Sequence, residues 1–130
     1  RSGDWDSMAR LCKSSPLPIA LDEELIGVNT PKLKEQLLQE IHPAYIVLKP
    51  TLHGGIQGCD EWIERAPRHN IGYWITSALE SNIGLNAIAQ FTATLQTGDF
   101  AQGLGTGQLF VENIPHTGLT IEGNKLFRKL

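Results

Sequence analysis

Two carboxylates and a lysine, each set directly after an apolar run, are the residues of this chain best suited to chemistry. Ile19-Ala20-Leu21 leads into Asp22-Glu23, and about 27 residues later Tyr45-Ile46-Val47-Leu48 leads into Lys49. Asp22 is short and rigidly held. That suits a hard divalent cation such as Mg²⁺, which takes one or two carboxylates and completes an octahedron with water and substrate oxygens. Adjacent residues at a strand end point in different directions, so only one of Asp22 and Glu23 faces a given site. Read alone, the pair favours an exposed acidic loop, since Asp-Glu dipeptides are common. The stem of Lys49 continues an apolar strand and brings its ammonium out at the strand end. There it either titrates near neutrality as an acid or base, or stays charged and stabilises an anion forming on a substrate. A lysine that merely snorkels along apolar surface fits the same residues.

Further candidates follow the same rhythm. His53-Gly54-Gly55 comes just after Lys49 and forms a flexible turn whose backbone amides could approach an anion, with His53 itself an ordinary loop histidine. Gly72-Tyr73-Trp74-Ile75 leads into Thr76, Ser77 and Ala78, ahead of Glu80-Ser81-Asn82. Hydroxyls and the start of the following helix could receive a carboxylate there. Phe100-Ala101-Gln102 leads into Gly103-Leu104-Gly105-Thr106-Gly107, a second close-approach loop without the Lys of a phosphate-binding motif.

To act together these residues must be gathered by parallel strands. Such strands need long crossovers, usually helices, and in a (β/α) barrel their C-terminal ends converge on one mouth. The interval between the strand ends is close to the roughly 25 to 30 residues that one strand, one helix and two loops occupy. Asp4 caps a first helix with Trp5, Met8, Leu11 and Cys12 as its apolar stripe. Thr30 and Pro31 open a second, with Leu33, Leu37, Leu38 and Ile41 on one face, and His42-Pro43 stops it. A third runs from about Gly58 to Arg68 with Cys59, Trp62, Ile63 and Ala66 buried and Asn70 as its cap. A fourth starts near Ser81 or Asn82 and turns Leu85, Ile88, Ala89, Thr92 and Leu95 inward. After residue 107 the rhythm breaks. Leu109-Phe110-Val111 and Leu119-Thr120-Ile121 read as short strands of a hairpin-like arm, separated by Pro115 and Gly118. The expected division is 1–107, a partial barrel, and 108–130, a C-terminal arm that packs on parts absent from this chain.

With 130 residues, 41% hydrophobic, 19% charged and a net charge of −3, the chain has the profile of one domain with a core. The mildly acidic balance argues against nucleic acid as a partner, and the basic cluster Lys125, Arg128 and Lys129 reads as a solvated tail. No apolar run approaches the ~20 residues of a membrane span, so no membrane is expected and the expected setting is the cytoplasm. Cys12 and Cys59 fall in separate helices and read as reduced thiols. A βα series that opens on a helix lacks its first strand, so the chain is expected to be a piece of a longer polypeptide.

In order, Ile19 to Glu24, Val47-Leu48-Lys49-Pro50-Thr51-Leu52-His53-Gly54-Gly55, Ser77-Ala78-Leu79-Glu80-Ser81-Asn82-Ile83-Gly84-Leu85 and Gly103-Leu104-Gly105-Thr106 resemble the C-terminal half of the enolase superfamily. Through the Lys-Pro-Thr-Leu-x-Gly-Gly and Glu-Ser-x-x-Gly-Leu phrases they are most similar to its o-succinylbenzoate synthase family. The resemblance implies an α/β fold: a TIM-like (β/α)₇β barrel of which this chain supplies parallel strands five to eight with outer helices. It implies that Asp22 is one of three carboxylates on Mg²⁺, with Glu23 supporting it from outside the metal's own sphere. Lys49 would be the lysine across the substrate from the base, stabilising an enediolate. Thr76, Ser77, Ala78, Glu80 and Ser81, with Gly103, Leu104, Gly105 and Thr106, would line the pocket for a small carboxylate substrate.

The implied reaction is dehydration of a cyclohexadiene carboxylate to o-succinylbenzoate in menaquinone biosynthesis. The other two metal carboxylates, the base and the capping domain would belong to the missing N-terminal half, so the isolated chain is expected to be inactive and to self-associate through its open edges. A racemase, epimerase or cycloisomerase of the same superfamily fits the same lysine. From a different class, a flavodoxin-like anion-binding module would place helices on both faces of a flat sheet.

Overall fold

The structure, a computed structural model, describes residues 3–98, 100–112, 114 and 118–129. Pro115, which figures in the sequence reading, lies outside the described residues. Four helices alternate with three parallel strands: α1 (Trp5–Ser14), β1 (Ala20–Leu21), α2 (Pro31–Ile41), β2 (Tyr45–Leu48), α3 (Gly55–Arg65), β3 (Gly72–Ile75) and α4 (Asn82–Thr94). The strands lie side by side in chain order, with Ala20 opposite Tyr45, Tyr45 opposite Gly72 and Leu48 opposite Ile75. The fourth rung does not form a strand. It is a single parallel bridge, Thr76 to Gly103, in which Gly103 N–H donates to the Ile75 carbonyl at 2.8 Å. A Cβ at Gly103 would lie 2.7 Å from Thr76 Oγ1, so this close approach depends on a glycine.

Register and burial together place all the helices on one side of the sheet. Leu21, Ile46, Leu48, Tyr73 and Ile75 occupy one face, and they belong to or pack on a single core that also takes Leu37, Leu38 and Ile41 of α2, Cys59 and Trp62 of α3, and Leu85 and Ile88 of α4. Ala20, Tyr45, Val47, Gly72 and Trp74 point to the other face, outside that core. Helices on one face define a barrel segment. The flavodoxin-like alternative needs them on both and is not what is found.

The helix starts follow their sequence signals. Asp4 Oδ1 accepts from Ser7 N–H at 3.0 Å, and Thr30 Oγ1 from Leu33 N–H at 3.3 Å. Asn70 closes the third helical region in the left-handed conformation at φ 59°. Three expectations are corrected. Leu11 and Leu33 are exposed, and the buried file of α2 is Lys34, Leu37, Leu38 and Ile41, which keeps the i, i+3, i+4, i+7 spacing with a lysine at its head. Helix α3 begins at Gly55 and passes into a 3₁₀ turn at Ala66–His69 instead of running on to Arg68 as one α-helix. Leu109–Val111 is no strand, because Gly105–Leu109 winds into a 3₁₀ helix; the hairpin instead pairs β4 (Leu119–Glu122) with β5 (Lys125–Arg128). The basic cluster therefore sits on and just after a strand. Leu119 and Leu126 of the hairpin pack on the main core.

Candidate functional site

Asp22 and Lys49 meet at the C-terminal ends of neighbouring strands. Lys49 Nζ lies 2.6 Å from Asp22 Oδ1 and 3.4 Å from Glu23 Oε1. The Asp22 contact is the shorter of the two ion pairs. Asp22 opens the 3₁₀ turn Glu23–Leu25, yet its side chain caps none of that turn's N–H groups and is left for the lysine. Burial acts to lower the Lys49 pKa, but the adjoining Asp22, through contact and charge, and then Glu23 outweigh it, and the net direction is upward. Lys49 is thus held as a cation, which answers the choice left open by sequence: it is not poised near neutrality. The Glu23 carboxyl is held below the usual range by its backbone hydrogen bond and by the Lys49 charge.

Behind Lys49 the chain folds back on itself. Leu52 and His53 N–H groups both donate to the Lys49 carbonyl, at 2.9 and 3.1 Å, and Lys49 N–H donates to His53 Nδ1 at 3.0 Å. His53 is 2% exposed. Burial pushes its pKa down to about 4 against the nearby Asp22 charge, so the ring is neutral near neutral pH. With Nδ1 accepting, the proton belongs on Nε2. By sequence alone His53 reads as a loop histidine. The available signal was its position four residues after a strand-end lysine, where a ring can turn back onto the strand.

One strand over, Thr76 Oγ1 donates to the Gly103 carbonyl at 2.7 Å, and Ser77 Oγ lies 2.5 Å from Thr106 Oγ1. The two loops expected to line a pocket are therefore held against each other. Gln102, unanticipated from sequence, accepts from Ile75 N–H at 2.8 Å and takes the place of a fourth-strand partner. Thr51 hydrogen-bonds Glu80, joining the loop after β2 to the loop after β3. Burial opposes ionisation of Glu80, but the Thr51 bond and its own N–H draw its pKa down. Ser77 and Leu104 are buried, Ala78 is half-buried, and Gly105 and Ser81 face solvent. Ser81 precedes α4 without a side-chain cap; Asn82 exchanges hydrogen bonds with the main chain of Ile114.

A cation site can be tested on the donor set. Among the described residues no group of three His, Cys, Asp or Glu side chains is gathered as a metal would require. Asp22 offers one carboxylate, already facing an ammonium at 2.6 Å. The chain by itself does not fit Mg²⁺; it fits as the donor of one ligand. No helix of the described residues is long and apolar enough to cross a membrane.

Parallel strands in chain order, helices on one side, and an acid and a cation at the C-terminal strand ends are features of a (β/α)-barrel enzyme. A model of the enolase C-terminal domain-like family matches residues 1–126, and the chain belongs to that family. It is 52% identical over 126 residues to the o-succinylbenzoate synthase of Desulfotalea psychrophila, an alignment covering 97% of this chain and 33% of that protein. It superposes on the crystal structure of MenC from the same organism with a TM-score of 0.88 at 52% identity, over 95% of this chain and 34% of the other. The L-Ala-D/L-Glu epimerase of Bacillus subtilis shares the fold at 21% identity, with a TM-score of 0.84 over 99% of this chain and 35% of that one. The chain spans about a third of the length of the curated relatives it matches.

Proposed function

We propose that this chain is the C-terminal part of an o-succinylbenzoate synthase, a Mg²⁺-dependent carbon–oxygen lyase of menaquinone biosynthesis acting in the cytoplasm. The observation that carries the reading is the 2.6 Å approach of Lys49 to Asp22 on adjacent parallel strand ends, in a chain 52% identical to such an enzyme. Asp22 contributes one ligand, Glu23 supports it, and two further carboxylates come from the polypeptide outside this chain. Mg²⁺, when bound, would draw negative charge onto the substrate carboxylate. Lys49, held charged, faces the same carboxylate and stabilises the negative charge that builds as the neighbouring carbon loses its proton. That proton goes to a base outside this chain. The adjacent C–O bond then breaks, the hydroxyl leaves as water with a proton, and the ring gains its double bond. Thr76, Ser77, Ala78, Glu80 and Ser81, with Gly103, Leu104, Gly105 and Thr106, border the pocket, and their paired hydroxyls fix its wall.

In this reading residues 1–107 are the barrel segment and 108–130 the arm, whose exposed Leu109, Val111, Ile114 and Phe127 pack on the rest of the polypeptide. Without that remainder the chain lacks the base and most metal ligands and is inactive. Its open sheet edges make the isolated chain self-associate, and sedimentation as a clean monomer at micromolar concentration would exclude this. The functional test compares the 130-residue chain with the complete polypeptide in the dehydration assay. Turnover by the complete protein alone supports the proposal, and turnover by the short chain refutes it. An epimerase or cycloisomerase remains the second reading, favoured by the shared fold and by a lysine at the strand end. Racemisation of a dipeptide without dehydration activity would select it.

A further inference from the structure

We propose that His53 is a positioning residue for Lys49: its buried imidazole fixes the main chain at the strand end, and Lys34 and Gly58 hold the imidazole's own segment in place. The inference rests on the reading of Lys49 as the cation that faces substrate. Lys49 N–H falls at the point where the strand ladder stops, and such a group needs a partner. His53 Nδ1 supplies it at 3.0 Å, while the Lys49 carbonyl accepts from Leu52 and His53. With both main-chain groups occupied, the peptide planes on either side of the Lys49 Cα are held, and with them the direction in which the lysine leaves the backbone. His53 is buried although its neighbours Thr51, Leu52, Gly54 and Gly55 are exposed, so the turn is built around the ring.

The support extends one layer deeper. A Cβ at Gly58 would lie 1.9 Å from the His53 carbonyl oxygen, so α3 can pass this close only with glycine there. The Gly58 carbonyl in turn accepts from Lys34 Nζ at 2.8 Å, and Lys34, 1% exposed, also pairs with Glu61 at 2.8 Å and sits 5.5 Å from the Trp62 ring centroid. A buried cation whose donors are all directed at fixed partners can hold two elements in one geometry. Here it ties α2 to the start of α3, behind the turn that carries His53.

The experiment uses the complete polypeptide with three substitutions: His53→Asn, which can keep an acceptor oxygen near the Nδ1 position, His53→Leu, which removes it, and Lys49→Ala as reference. His53→Leu should lower kcat on the order of 10²-fold with little change in KM, as a small misplacement of a reacting group does. His53→Asn should recover most of that loss even if both variants melt at the same lowered temperature. Long-range ¹H–¹⁵N spectra of the unaltered protein should show the Nε2–H tautomer, and the Lys49 amide should exchange faster only in His53→Leu. A kcat within about twofold of wild type in His53→Leu, equal losses in both His53 variants, or an Nδ1–H tautomer would overturn the proposal. Full activity in Lys49→Ala would instead remove the underlying reading, leaving the tautomer and exchange results as evidence of a hydrogen bond alone.

Discussion

The two ends of the same three strands are built from opposite chemistry. On the inner face β2 runs Tyr45, Val47 and then Lys49, so one file of side chains passes from aromatic to aliphatic to cationic within five residues. Around Tyr45, at the N-terminal end of β2, Trp74 from within β3 and Phe100 gather with ring centroids 5.7–5.9 Å apart. At the C-terminal end Asp22, Glu23, Lys49, Thr76 and Ser77 make ion pairs and hydrogen bonds. The aromatic rings, half-buried or exposed, make contacts that are insensitive to small shifts, since dispersion and the hydrophobic effect have little directionality. The charged end depends on angles and distances, and it is braced by loops that tie back onto the strands. Stability and chemistry are thus divided along the strand axis, as expected where a barrel keeps its reactive groups at the C-terminal mouth.

The sharpest way to break this contrast is Lys49→Ala in the complete polypeptide. It should reduce kcat by on the order of 10²–10³ or more while leaving the fold intact by circular dichroism. Protonation comes next. His53 is held neutral with its pKa lowered from 6.5 to about 4, so the unfolded chain takes up a proton before the folded one does. The stability this contributes is present above 6.5 and is lost as the pH falls toward 4, by at most about 3 kcal/mol. Thermal melts across that range should show the loss, and His53→Asn should flatten it. Gly58→Ala drives a methyl toward the His53 carbonyl and should cost roughly 1–3 kcal/mol, lowering kcat per folded molecule as well. Trp74→Ala, among the half-buried aromatics, should cost roughly 0.5–1.5 kcal/mol in denaturant melts and leave kcat per folded molecule unchanged. If Gly58→Ala and Trp74→Ala behave alike in kcat, the division between the two ends is wrong.

Much of this was legible in the sequence because the signals were local. Thr30-Pro31 and Asp4 mark helix starts through hydrogen bonds made within three residues, and the apolar runs before Asp22 and Lys49 mark strands by composition. The failures were those where a distant group decides. The sequence pattern puts Leu33 on the inner face, but Lys34 takes that place, and its burial depends on Gly58 and Glu61, more than twenty residues away. Phe100 to Gly105 has the composition of a strand, but Gln102 turns its side chain to the Ile75 N–H, and only Gly103 bridges to the sheet. Leu109–Val111 has β-propensity, but among the described residues no strand pairs with it. Such propensity alone does not hold a strand.

By itself, the order of residue types determined the alternation of strands and helices and the placing of an acid and a lysine at successive strand ends, because period, caps and breakers act over a few residues. Only the tertiary structure decided that these two groups touch, that Lys49 stays charged, and that His53 lies buried against its backbone. Each of those outcomes is set by desolvation and by partners brought from other elements, which no local pattern specifies.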